Sequence, residues 1–154
     1  MSVFAVQMIS SILGSIGFAI LFRLHPKKLW SIALLSGGCY GIYYLFAAVF
    51  GTNAFVAALI STAFVAASAE FFSRIMRSPT IIFIIPSIIP IVPGGALYRF
   101  MKELINGNSD IAMGHGKEAL LTALGVAGGI IVISIIANVT KGIIEKISLK
   151  KEKT

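Results

Sequence analysis

The sequence predicts an all-α membrane protein of about five transmembrane helices, the fourth broken by prolines, with one short amphipathic helix. Three observations predict it. Of 154 residues, 57% are hydrophobic and only 12% are charged, about half the ~25% charged share of an ordinary soluble domain. A water-soluble fold of this length cannot hide so much apolar surface, so lipid is its natural solvent. The apolar residues come in stretches of about 20, the length that crosses a ~30 Å hydrocarbon core as a helix. Finally, the basic residues behind the net charge of +7 sit in short clusters at the ends of those stretches. That is the pattern of topogenic charge, not of a nucleic-acid footprint. Length and short loops allow one domain, residues 1–154.

Residues 3–22 form the first span. No positive region precedes it, and Arg23, Lys27 and Lys28 follow it. It therefore reads as a retained helix with its N-terminus outside, not as a cleaved signal peptide. The second span, residues 30–50, opens with Trp30 at an interface. The third, residues 53–76, carries Glu70 and Arg74 in its last turns. The fourth, residues 81–98, contains the prolines; the polar stretch 99–118 then separates it from the fifth, residues 119–138. The basic tail, residues 141–154, is expected to continue the last helix.

Charge decides whether the fourth segment crosses or turns back. If it crosses, Arg23, Lys27, Lys28, Arg74, Arg77, Lys141, Lys146, Lys150, Lys151 and Lys153 share one side, and only Arg99, Lys102 and Lys117 face the other. If it turns back, Arg99, Lys102 and Lys117 join the first five, the five tail lysines lie opposite, and the bias falls to eight against five. The positive-inside rule favours crossing, with the C-terminus cytoplasmic and the chain in the plasma or inner membrane.

Small residues recur four apart: Gly37 with Gly41, Gly125 with Gly129, and Ala58, Thr62 and Ala66 in line with Glu70. In lipid such spacing lets two backbones approach closely. It serves either packing within the chain or contact with a partner subunit or a second copy.

The most informative stretch holds Pro86, Pro90, Pro93, Gly94 and Gly95. Each proline removes a backbone donor and clashes with the carbonyl one turn earlier. Ile85, Ile89 and Val92, each preceding a proline, are pushed toward extended geometry. Carbonyls around Ile82, Pro86 and Ile89 are then expected to lose helical partners, which in hydrocarbon costs several kcal/mol unless protein or a wet cavity satisfies them. The break should thus face the interior or a cavity. Gly94 and Gly95 permit a turn, and residues 96–106 read as a short helix with Leu97, Phe100, Met101 and Leu104 on one face. Its first amides would aim at the break, where a helix N-terminus favours a carboxylate. Discontinuous helices bind substrates this way in several transporter folds. The alternative is a kink with no ligand.

The run Ile89, Pro90, Ile91, Val92, Pro93 and Gly94, with Tyr98 four residues on, resembles the threonine/serine exporter family. More closely, it resembles that family's small stand-alone membrane subunit. Residues 14–22, Gly-Ser-Ile-Gly-Phe-Ala-Ile-Leu-Phe, followed by a basic loop, are similar to the family's first helix. The resemblance implies a secondary transporter exporting small carboxylate-bearing metabolites: threonine, serine or a dicarboxylate. It also implies a larger membrane subunit of the same family as partner, because in single-chain exporters this sequence corresponds to the C-terminal half. A chain of this kind is expected not to export alone. The candidate substrate site is then Pro86, Pro90, Pro93, Gly94, Gly95 and Tyr98.

Glu70 is an acidic residue inside an apolar span and a candidate for proton coupling, since burial penalises its charged form. An ion pair with Arg74, one turn on, is the plainer reading. Tyr40, Tyr43 and Tyr44 read as packing residues, of which one or two could line a path. Cys39 reads as a small buried side chain. Asn138 and Thr140 read as the end of the last helix, and His115 as a loop residue. No histidine, cysteine and carboxylate cluster completes a metal site, and no cofactor is expected. A phosphate loop, a metalloprotease helix, a nucleophile with a base and paired carboxylates are all missing, so no enzyme chemistry is indicated. Two rivals to the exporter stand: a membrane scaffold without a solute path, and a homo-oligomeric pore.

Overall fold

The computed structural model describes residues 3–152, with side chains over 4–140 and at 142. The tail lysines at 141, 146, 150, 151 and 153, counted above for topology, have side chains outside that set. Six helices follow one another: α1 (Val3–Leu21), α2 (Pro26–Tyr44), α3 (Ala54–Ile75), α4 (Ile81–Ile88), α5 (Gly94–Ile105) and α6 (Ser109–Glu152). A π-helical turn, Leu45–Val49, extends α2, and a 3-10 turn, Ile89–Ile91, extends α4.

The helices are joined by very short turns that use the left-handed region. Arg23 (φ +53°) ends α1, where Leu24 N–H donates to Ala19 O at 3.1 Å and Arg23 N–H to Ile20 O at 2.8 Å. These are the two bonds of a Schellman cap. Arg77 (φ +45°) ends α3 likewise, with Ser78 N–H on Ser73 O at 3.1 Å. Gly51 (φ +62°) and Gly107 (φ +78°) make the other two such turns, where the missing Cβ removes the strain an arginine must bear. Pro26 sits in the first turn of α2, a position that needs no N–H donor. The second span therefore starts at Pro26 rather than at residue 30, and Lys27 and Lys28 lie within its first turn.

Packing follows the small-residue stripes. A Cβ at Gly125 would stand 2.4 Å from Phe55 O and 2.9 Å from Ala58 Cβ; one at Gly129 would stand 2.7 Å from Leu59 O and 2.9 Å from Thr62 Cβ. The α3–α6 crossing is therefore backbone on backbone, and this glycine pair serves packing within the chain. Gly38 takes the ring of Phe64 in the same way, with its would-be Cβ 2.8 Å from Phe64 Cε1. One core layer holds Ala19, Ile32, Leu35, Ala66, Ala69, Phe83 and Ile84. A second joins Cys39, Val65 and Ile91, with Tyr43 and Val126 against it.

The register of that crossing also decides the fourth segment. Residues 125 and 129 meet 55–59 and 59–63 in ascending order, so α6 runs parallel to α3. The chain leaves α3 at the Arg77 turn and must return to the opposite end before α6 starts. Only α4 and α5 can carry it there. The stretch Ile81–Ile91 is too short to cross alone. Joined to Gly94–Ile105 through a 44° bend, it spans roughly 36 Å at 1.5–2 Å per residue, enough for a ~30 Å core. The bent pair is long and apolar enough to make a fifth crossing beside four helices that each suffice alone.

Two expectations need correction. The short helix expected over residues 96–106 is present as α5, but the last helix starts at Ser109 rather than at residue 119 and takes in the rest of the polar stretch. His115 is thus helical. Nor do Asn138 and Thr140 end the last helix: Thr140 Oγ1 donates to Ile136 O at 2.8 Å inside a helix of 44 residues, roughly 66 Å at 1.5 Å per residue and twice the hydrocarbon core.

Candidate functional site

The proline break lies level with the middle of α3. Ile91 packs on Val65, near the midpoint of α3. Pro86 stays within α4 and is buried, whereas Pro90 falls in the 3-10 turn and Pro93 immediately precedes α5. Val92 is extended (φ −61°, ψ 128°), as a residue before proline should be. Pro93 (φ −77°, ψ 40°) turns the chain into α5. Gly94 and Gly95 were expected to permit this turn, but neither takes a positive φ, so the bend is made by Val92 and Pro93. Nor is the Ile89 carbonyl orphaned, because it accepts Val92 N–H at 3.2 Å.

The break opens into a polar cleft of about 150 Å³. Pro90, Ile91, Val92 and Pro93 form one wall; Gly95, Ala96 and Arg99 of α5, Tyr43 of α2, and Glu118 and Thr122 of α6 form the rest. Gly95 and Ala96 belong to the first turn of α5, whose N–H groups have no intrahelical acceptor. Arg99 folds back over that turn, with Nη2 3.9 Å from the position a Gly95 Cβ would take. Thr122 is buried, and its hydroxyl donates to Glu118 O at 2.9 Å. Tyr43 lines the cleft together with Thr122 and Glu118. Glu118 is half exposed and pairs with His115 Nδ1 at 3.7 Å.

The other expected site residues separate from this cleft. Pro86 lines an apolar recess of about 330 Å³ against Phe18 of α1 and Phe22 just after it. Tyr98 is 70% exposed on the outer face of α5. A Cβ on Gly94 would meet nothing of this chain within 4 Å, so the break is open on that side. A second polar recess flanks the break on α1: Gln7, Ser10, Ser11 and Gly14 line it with Tyr40, Ile89 and Pro90. There the Tyr40 hydroxyl donates to Gln7 Oε1 at 2.5 Å, and the Tyr40 ring stacks on Phe4, against which Tyr44 packs at a tilt.

Glu70 lies outside the cleft, half-buried near the end of α3. Its Oε1 accepts Thr80 Oγ1 at 3.1 Å, so it is tied to the start of α4 rather than to Arg74. Among the described residues no group of three or more histidine, cysteine and acidic side chains could hold a metal ion.

Arg99, Glu118 and Thr122 were missed from sequence. A signal existed: Arg99 stands four residues after Gly95 and Thr122 four after Glu118, so each pair shares a helix face. Tyr43 had no such signal, because its place depends on how α2 packs on α6.

A family model described as Threonine/Serine exporter, ThrE, matches residues 7–136. Neither the curated proteins nor the solved structures yield a match.

Proposed function

The chain belongs to the threonine/serine exporter family, and we propose that it is the small subunit of a secondary transporter, exporting small carboxylate-bearing metabolites with a larger membrane subunit. Threonine, serine and dicarboxylates are the substrates in this reading. The observation that carries it is the break itself: a proline-interrupted crossing, broken level with the middle of α3, whose second half begins at a polar cleft. Irregular backbone in the hydrocarbon region is tolerated where it lines protein or water, and the first amides of α5 favour a carboxylate there.

The larger subunit is invoked because this chain leaves the break uncovered at Gly94 and on the α1 side at Gln7, Ser10 and Gly14. Polar and small residues on a membrane face call for protein or water rather than lipid. Glu70 is the candidate for proton coupling, with Thr80 as its hydrogen-bond partner. The N-terminus lies outside and the C-terminus in the cytoplasm of a plasma or inner membrane, because the arginine-ended turns at 23 and 77 then share the cytoplasmic side.

The test is efflux of labelled L-threonine, L-serine and succinate from cells producing this chain with and without the larger subunit. Efflux that requires both chains supports the reading. Flux through this chain alone would indicate a homo-oligomeric pore. No flux in either case, with stable co-assembly, would indicate a scaffold.

A further inference from the structure

The polar cleft carries both signs of charge, supplied by two helices. Arg99 reaches it from α5 and Glu118 from α6, and the two do not pair with each other. Two hydroxyls, Tyr43 and Thr122, complete the polar lining. The cleft is small, about 150 Å³, which suits a small solute. Opposite charges that line one small cleft without pairing can each be satisfied by one small molecule bearing both. A dianion would satisfy Arg99 and leave Glu118 facing a like charge in the same cleft.

We propose that Arg99 and Glu118 are the specificity-determining pair of the cleft, selecting a small zwitterion over a dicarboxylate. Arg99 and the first-turn amides of Gly95 and Ala96 receive the carboxylate. Glu118 receives the ammonium group, exchanging its contact with His115 for one to the solute. Thr122 and Tyr43 face a short polar side chain. This rests on the transporter reading above and sharpens it: of the substrates considered there, the amino acids fit and the dicarboxylates do not.

The experiment uses the assembled exporter in vesicles, with labelled L-serine as probe and unlabelled L-threonine and succinate as competitors. The parent protein should export serine with competition by threonine and little by succinate. Glu118→Gln should raise KM for serine by about tenfold, the smaller end of what losing a charge-assisted hydrogen bond does, and should let succinate compete. Arg99→Gln should raise KM for serine without admitting succinate, and Arg99→Lys should recover part of the loss. Glu118→Asp keeps the charge and should keep the discrimination. A purely structural role would lower the rate for every solute and leave the serine-to-succinate preference unchanged. If the parent exports serine and both neutral variants keep its KM and preference, the pair does not read the solute and the inference is overturned, with the transporter reading intact. Preferential export of succinate by the parent overturns it in the same way. An assembly that exports neither overturns the transporter reading itself, and this inference with it.

Discussion

Gly125→Ala and Gly128→Ala should change stability in opposite directions, although both add one methyl group to the same helix. At Gly125 the new Cβ would lie 2.4 Å from Phe55 O, 2.9 Å from Ala58 Cβ and 3.1 Å from Leu59 N. Two of those neighbours are backbone atoms of α3 and cannot rotate away. Restoring ordinary contact requires α3 and α6 to separate by roughly 1 Å along their closest approach. Overpacking of this kind costs about 1–3 kcal/mol, against which the better helix propensity of alanine returns up to ~1 kcal/mol. The net effect is a loss of up to about 2 kcal/mol. At Gly128 the Cβ would meet only Leu59 Cδ1 at 3.6 Å, an ordinary contact with a flexible side chain, so the propensity gain stands nearly alone and the variant should be stabilised by up to ~1 kcal/mol. The assay is unfolding of the purified chain in one detergent, by titration with a denaturing detergent, comparing midpoints. A shift of the same sign for both variants would refute the backbone-on-backbone crossing, and with it the parallel register that makes α4 and α5 a crossing pair.

Further outcomes follow from the same geometry. Cysteines placed at Ser109 and at Thr154, the latter outside the described residues, should react with an impermeant reagent from opposite sides; reaction of both from one side would remove the five-crossing topology. The chain reconstituted alone should show no saturable flux of threonine, serine or succinate, because the break is uncovered on the Gly94 side, and robust flux would contradict the need for a partner. Glu70→Gln keeps an oxygen to accept the Thr80 hydroxyl, so it should leave the amount of folded protein unchanged while abolishing acceleration of efflux by an imposed proton gradient; unchanged acceleration would remove Glu70 from coupling.

The spans and the break were legible in the sequence because lipid imposes two signals that survive without tertiary context. One is about 20 apolar residues per crossing; the other is the loss of backbone partners at Pro86, Pro90 and Pro93. What was not legible depended on contacts. The run from Gly114 to Gly116 reads as a loop, yet it lies inside α6. A Cβ at Gly116 would stand 3.1 Å from the Phe100 ring, so this glycine is there for α5 to pack against and tertiary contact overrides its poor helix propensity. Misreading that run left Glu118 outside the last helix and hid the acidic side of the cleft. Gly94 and Gly95 were read as turn residues, whereas the structure puts the turn in Val92 and Pro93. That leaves Gly94 as a place where no side chain of this protein competes for space.

Gly94 therefore offers the most direct test of the claim that the break is the functional centre. The Cβ of a valine there would meet nothing in the chain within 4 Å, and the position requires no unusual φ, so insertion, stability and co-purification with the larger subunit should persist. The measurement is efflux of labelled L-serine by the assembled Gly94→Val exporter. The account predicts a fall of about tenfold or more, as expected when a bulky side chain costs at least ~1.4 kcal/mol in solute binding. Efflux at the parent rate, with the partner present, would make the break a structural kink and contradict the site.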